Sequence, residues 1–284
     1  MKTCVSSYSF GSYISDEKLG MKGIIDKAAE MGFEGFEFVE GDWTKGLDLE
    51  TARGYGEYAR SKGLVCVSYC IGANFLCDDL DAEIARVKKE VDFAAALGVM
   101  NMRHDTAYGF SGDKKYSIGF DDALPIIIKG ARAVTEYAAT KGVGTMTENH
   151  GYFAQDSDRV EKIVNGVAHP NFGALCDVGN FMCADEVPYH AVGIMARYAK
   201  HVHAKDFFFR RGTEFNPGQG WFTTRGGNYL RGTIVGHGDA GVPQSLNILK
   251  NAGYDGFVSI EFEGIEDNLL GIKIGLENLK RFIG

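Results

Sequence analysis

The 284-residue sequence predicts an α/β fold: a single (β/α)8 barrel over residues 1–284, with a long loop after the seventh strand. Three observations predict it. A helix tail, a glycine and a short apolar strand recur as AAEMGFEGFEF, ARSKGLVCVSY, AAALGVMNMRH, AATKGVGTMTE and LKNAGYDGFVSIE. The strands in these units are nearly all apolar, as parallel strands covered on both faces must be. Four strand-like runs end in a residue able to ligate a metal, namely Glu148, Asp177, His203 and Glu261. Ionisable side chains at the carboxyl ends of successive strands are how a barrel builds a site.

The elements follow in order. Strands are expected at 3–10, 35–39, 64–70, 99–103, 143–148, 172–177, 201–205 and 256–262. Helices fill the intervals near 17–31, 49–62, 79–97, 120–141, 157–167, 187–199, 243–252 and 267–282. The repeated glycines, Gly32, Gly63, Gly98, Gly142 and Gly253, each end a helix in the left-handed conformation that other residues resist. The third helix has the clearest period, with Leu80, Ile84, Val87, Val91 and Ala94/Ala95 on one face. Asp16, Asp48 or Asp78, Asp121 and Asp156 stand near helix starts, where an acid suits the dipole. A doubly wound open sheet is the alternative. The first strand is not followed by GxGxxG, which removes the usual reason to choose it.

The interval 207–241, FFFRRGTEFNPGQGWFTTRGGNYLRGTIVGHGDAG, breaks the rhythm. Long loops of aromatic, arginine and glycine residues are more often functional than disordered. A substrate-covering flap is expected, with an oligomer contact as the alternative.

Composition narrows the function. A net charge of -8 and a pI of about 5.4 argue against a nucleic-acid or anionic-membrane partner. The start of the chain lacks a signal-type apolar core, and no apolar run reaches the roughly 18 residues of a spanning helix. A cytoplasmic protein is expected. Cys4, Cys66, Cys70, Cys77, Cys176 and Cys183 show no CxxC spacing and read as buried reduced thiols; disulfides or a zinc-thiolate site are the alternatives.

The four strand-end residues supply three carboxylates and one imidazole. That oxygen-rich set suits one Mn²⁺, Mg²⁺ or Co²⁺ ion better than a structural zinc. Mn²⁺ is the expected ion, and Zn²⁺ is the remaining candidate. Taken singly, each residue also reads as an ordinary strand-end side chain with local hydrogen bonds.

The stretches TENHG (Glu148), CDVGN (Asp177), HVHAKDF (His203) and VSIEFEG (Glu261) resemble the xylose-isomerase-like TIM barrels, the sugar phosphate isomerase/epimerase family. The run IVGHGDAGVPQSLNILKNAGYDGFVSIE is similar to that family's final strand–helix unit. The resemblance covers nearly the whole chain and is densest from 140 to 264. It implies that Glu148, Asp177, His203 and Glu261 hold one divalent ion. It also implies that Glu148 and Glu261 move a proton off and onto carbon through an enediolate. The substrate implied is a carbohydrate or polyol, and the assembly a homodimer or homotetramer. A lyase or dehydratase of the same fold, inosose dehydratase-like or C-glycoside-cleaving, is the alternative outcome.

The sequence departs from the ketose 3-epimerase pattern at Asn180, where a histidine is usual, and at Phe209, where an arginine is usual. Candidate substrate contacts are Glu40, His104, His150, Asn180, Lys205, Arg225 and His237. Lys205 reads equally as a holder of a substrate oxygen or as half of a buried ion pair. His150 reads as a general base or as a loop-tying residue, and Glu40 as a hydroxyl partner or an idle surface acid. Arg103, His104 and Asp105 close the fourth strand. Trp43, Phe75 and Tyr108 are candidate pocket walls. Arg225, Arg231 and His237 read by default as solvated loop charges, and His169, His190 and His201 look incidental. Two other classes compete: a DNA-repair endonuclease, disfavoured by the few histidines and acidic charge, and a non-catalytic metal-binding subunit.

Overall fold

A computed structural model describes residues 1–112 and 118–284. Eight parallel strands close into a barrel. They are β1 (Lys2–Ser6), β2 (Gly35–Val39), β3 (Val65–Ile71), β4 (Asn101–His104), β5 (Gly144–Glu148), β6 (Phe172–Asp177), β7 (Ala199–Ala204) and β11 (Phe257–Ile260). The circuit runs β1-β11-β7-β6-β5-β4-β3-β2. Helices lie between successive strands: α1 (Gly20–Met31), α2 (Leu49–Ser61), α3 (Leu80–Leu97), α4 (Phe120–Thr140), α5 (Ser157–Val167), α6 (Pro188–Met195), α7 (Val242–Asn251) and, after the last strand, α8 (Asn268–Ile283). No helix among the described residues is long and apolar enough to cross a membrane.

Local chemistry explains the junctions. The five repeated glycines all have φ between 72° and 90°, the left-handed region a helix end needs. Asp48, Asp79 and Asp267 cap α2, α3 and α8 by accepting from the backbone N–H three residues on. On α3 the buried stripe holds Ile84, Val87, Val91 and Ala94, with Phe93 and Leu97 at its edges. Gly56 lets α2 press against the Leu97 carbonyl, where any Cβ would collide. The core lies between helices and barrel, while Cys70, Met146 and Leu175 form a smaller apolar group. All six cysteines are free; Cys77 is exposed and the other five are buried.

Two segments differ from expectation. The first strand stops at Ser6, not at residue 10, and residues 7–14 coil as 3₁₀ helix. The Ser9 hydroxyl donates to the Ile260 carbonyl and accepts from the Phe262 N–H, and Ser7 accepts from the Val39 N–H. These serines satisfy their neighbours by side chain, so no ladder is required there. The long interval after β7 is not bare loop. It folds as an antiparallel sheet of β8 (Asp206–Arg210), β9 (Phe222–Thr223) and β10 (Tyr229–Thr233), ordered β8-β10-β9. Asp206 anchors its return by accepting from the N–H groups of Gly236, Gly238 and Ala240 at 2.9–3.0 Å.

Candidate metal centre

Side chains alternate between the two faces of a strand. On β7 this puts His201 and His203 on one face, and Lys205 continues it. The same alternation pairs Leu175 with Asp177 on β6 and Met146 with Glu148 on β5. Register does the rest: Asp177 lies opposite His203, and His203 opposite Ser259, two residues before Glu261. Ligand atoms of Glu148, Asp177, His203 and Glu261 therefore all lie within 4.8 Å of one another, and all four residues are buried.

The donor atoms fit a cation. Glu148 Oε2, Asp177 Oδ2, His203 Nδ1 and Glu261 Oε2 are buried, and the three carboxylate oxygens face only the cationic side chains of Arg103 and Lys205 and the His203 ring. Three buried carboxylates gathered in one place concentrate negative charge that needs compensation, which Arg103 and Lys205 supply in part and a divalent ion would complete. Three oxygens and one nitrogen suit a hard or borderline divalent ion.

Neighbouring side chains hold these residues in place. Asn180 donates from Nδ2 to Glu148 Oε1 and from its backbone to Asp177 Oδ1, both at 2.9 Å. The Lys205 ammonium lies 2.6 Å from Glu261 Oε2 and 3.3 Å from Asp177 Oδ2, and donates to Asn180 Oδ1. Arg103 Nε lies 2.7 Å from Glu148 Oε2. The two glutamates differ in acidity. Burial raises Glu148 above the usual carboxylate range, against the pull of Arg103 and His203. Burial also opposes ionisation of Glu261, but Lys205 and His203 hold it well below that range.

Glu37, not singled out from the sequence, lies behind the imidazole. It is fully buried on β2, with His203 Nε2 at 2.9 Å from its Oε1 and His201 Nε2 at 2.9 Å from its Oε2. A proton on His203 Nε2 directed at Glu37 leaves Nδ1 free to face the carboxylates. Such a carboxylate–histidine pair fixes both tautomer and ring orientation at a metal site. Cys70 lies close enough to form a second group with Glu37 and His203. The readable signal was alternation: Glu37 shares its strand face with Gly35 and Val39. His201, read as incidental, belongs to this network.

Further round the mouth, Arg103 and Asp105 share one face of the chain leaving β4, and His104 takes the other. Arg103 reaches Glu148 and Asp105, while Asp105 accepts from Tyr108 at 2.6 Å and meets His150 Nδ1 at 3.1 Å. His150 thus joins the Glu148 side of the site through Asp105 and Arg103. His104 is fully buried against Phe75 and Phe172, and burial pushes its imidazole down to about 4.

The remaining candidates lie outside the four-residue cluster. Arg225 forks onto Asp156 and also reaches the Ala184 carbonyl. His237 is exposed on the turn that Asp206 anchors. Glu40 is exposed at the end of β2, accepts from the Gly72 N–H at 2.9 Å and lines a cavity of about 870 Å³. Trp43 and Tyr8 line it too, as does Glu263, whose carboxylate is 3.5 Å from Lys205.

The profile of the xylose isomerase-like TIM barrel family matches residues 25–282. No curated protein matches the sequence. Solved structures share its fold. A probable 3-DHS dehydratase involved in petrobactin synthesis from Bacillus anthracis is 18% identical with a TM-score of 0.76, covering 99% of each chain. D-psicose 3-epimerase from Clostridium cellulolyticum H10, solved with D-tagatose, is 15% identical with a TM-score of 0.76, covering 100% of this chain and 99% of that one. A xylose isomerase-like TIM barrel protein from Mycobacterium smegmatis, in complex with magnesium, is 14% identical with a TM-score of 0.70, covering 100% and 98%.

Proposed function

This chain belongs to the xylose isomerase-like TIM barrel family, and we propose that it is a divalent-metal-dependent enzyme that isomerises or epimerises a sugar or polyol. One observation carries the reading: three carboxylates and one imidazole from β5, β6, β7 and the end of β11 converge, all buried, with ligand atoms within 4.8 Å of one another. Glu148, Asp177, His203 and Glu261 would hold the ion, with Mn²⁺ the expected species. When bound, the ion supplies electrostatic stabilisation of negative charge developing on adjacent substrate oxygens.

The chain's own residues do the rest. Glu148 and Glu261 approach from different strands, as a pair must to exchange a proton with carbon from two sides. Lys205, committed to Glu261 and Asp177, holds the second glutamate in place. Asn180 fixes the Glu148 carboxyl through one oxygen. Glu37 sets the His203 ring. The substrate enters by the cavity beside Glu263. Homo-oligomeric assembly belongs to this proposal, as does a cytoplasmic setting.

One feature favours a lyase as the second reading. The Asp105–His150 pair presents an oriented, half-exposed imidazole beside the Glu148 flank, where it can accept a proton during an elimination. Incubating the Mn²⁺-loaded protein with ketoses, aldoses and inososes separates the two. Products of unchanged composition support isomerisation, and loss of water or of a substituent supports the lyase. Turnover that persists after thorough chelation overturns both.

A further inference from the structure

Resting on the metal-enzyme reading, we infer that His201 is a positioning residue for the metal centre. Through Glu37 it holds the His203 ring as a nitrogen ligand, and it thereby sets how far the centre prefers a borderline ion such as Co²⁺ over Mg²⁺. The inference starts from the layer of side chains just below the four candidate ligands. His201 comes two residues before His203 on the same face of β7, and both imidazoles are fully buried. Leu175 lies opposite His201 in the register of β6 with β7, and it packs with Cys70 and Met146. One side of the layer is therefore apolar. The other side holds the Glu37 carboxylate, which is itself fully buried.

A carboxylate buried there needs partners. Among the described residues no lysine or arginine reaches Glu37, and its contacts are the two imidazoles. His203 Nε2 lies 2.9 Å from Oε1 and 3.0 Å from Oε2, so it straddles the carboxylate. His201 Nε2 lies 2.9 Å from Oε2. The two rings stand nearly perpendicular, at 84°, with centroids 5.5 Å apart. One carboxylate thus joins two imidazoles, and only His203 is among the four converging ligands.

The consequence is orientational. A glutamate carboxylate turns easily about its terminal bond, because that torsion is broad. Held from the His203 side alone, it would leave the ring free to follow it. With His201 against Oε2, the carboxylate has a second fixed point, and His203 keeps Nε2 on Glu37. Nδ1 then stays aimed at Glu261, Asp177 and Glu148, at 3.3, 3.6 and 3.8 Å. His203 is the single nitrogen in the set. The three carboxylates are hard donors that suit Mg²⁺, whereas imidazole suits the later transition ions. A carboxylate behind an imidazole also raises its basicity as a ligand. Lost alignment between Glu37 and His203 therefore weakens Co²⁺ binding more than Mg²⁺ binding. A residue that only filled space would change the two alike.

The test measures Co²⁺ and Mg²⁺ affinity of the full chain by calorimetry, and the visible absorption of bound Co²⁺ as a readout of its ligand field. Two variants are compared with wild type. His201→Phe keeps a ring and loses the N–H, and His201→Gln keeps an amide that can donate to Glu37. His201→Phe should lose roughly tenfold or more in Co²⁺ affinity, lose less for Mg²⁺, and shift the Co²⁺ bands. His201→Gln should restore the preference and the bands. An unchanged Co²⁺ to Mg²⁺ preference in His201→Phe overturns the inference, and so does a loss that His201→Gln leaves in place. Should circular dichroism show that the variants do not fold, wild type decides. Nuclear magnetic resonance of the Mg²⁺-loaded chain, isotope-labelled at histidine, should show low-field, solvent-protected Nε2–H protons from both rings. Such a proton from His203 alone overturns the inference. Wild type that binds neither ion overturns the metal-enzyme reading, and the inference with it.

Discussion

The two halves of the barrel mouth are built from the same repeating unit and do different work. From β5 through β6 and β7 to β11, each strand delivers one candidate ligand to a single buried cluster, compensated by Arg103 and Lys205. From β1 through β2 and β3 to β4, the charged groups have partners. Glu37 faces two histidines, and Arg103 and Asp105 face each other and Glu148 or His150. The first half crowds three carboxylates into one buried space at some cost in stability. The second half supplies orientation, compensating charge and the cavity.

The largest expected effect lies in the half that carries the clustered carboxylates. Glu261→Gln removes a ligand and one of the two proton carriers, so turnover should fall by roughly 10²–10⁴-fold and calorimetric Mn²⁺ affinity should drop with it. Native-like circular dichroism alongside retained turnover would take Glu261 out of that role.

Next comes the pH dependence of the half from β1 to β4. His104 is buried neutral, and burial lowers its imidazole to about 4 from the ordinary 6.5. The unfolded chain binds its proton first as pH falls, so stability is fully present above about pH 6.5 and is lost on the way down toward pH 4. That single group contributes about 3 kcal/mol across the window. Denaturant midpoints of wild type and His104→Phe, taken at several pH values, should diverge between those limits. Parallel curves would show that His104 is not the group responsible.

Glu37 joins the halves. Glu37→Leu should weaken Mn²⁺ binding by roughly 10–100-fold without touching any ligand, and Glu37→Gln, which still accepts from His203, should lose less. Equal affinity in all three proteins would make Glu37 a packing residue only. The smallest effect belongs to Arg225→Ala. Its partly exposed pair with Asp156 should contribute less than about 1 kcal/mol and leave Mn²⁺ affinity unchanged by calorimetry. A large drop in affinity would extend the site into the sheet of β8, β9 and β10.

Much of this was legible in the chain. The helix–glycine–strand repeat placed the barrel strands to within a few residues, because a helix end that needs a left-handed residue marks itself with glycine. Glu148, Asp177, His203 and Glu261 were readable because each ends an apolar strand, where an ionisable residue has no packing reason to be. Glu37 was hidden by a louder neighbour: Glu40 sits at the visible strand end, while Glu37 lies inside an apolar run and looks like an exception within it. His104 stood beside Arg103 and Asp105, and only strand alternation decides that the outer two share a face and the middle one turns into the core. Ser7 and Ser9 read as strand, and nothing local announces that their hydroxyls bond to residues some 30 and 250 positions away.

The sequence by itself determined the repeating unit, and hence the barrel and the strand ends that carry the candidate ligands, because helix caps and strand burial are encoded within a few neighbouring residues. Tertiary structure alone decided which acids share a space, which are satisfied by a cation, and which remain open to a ligand. Those outcomes depend on register between strands distant in the chain, and electrostatic partners are chosen by separation in space.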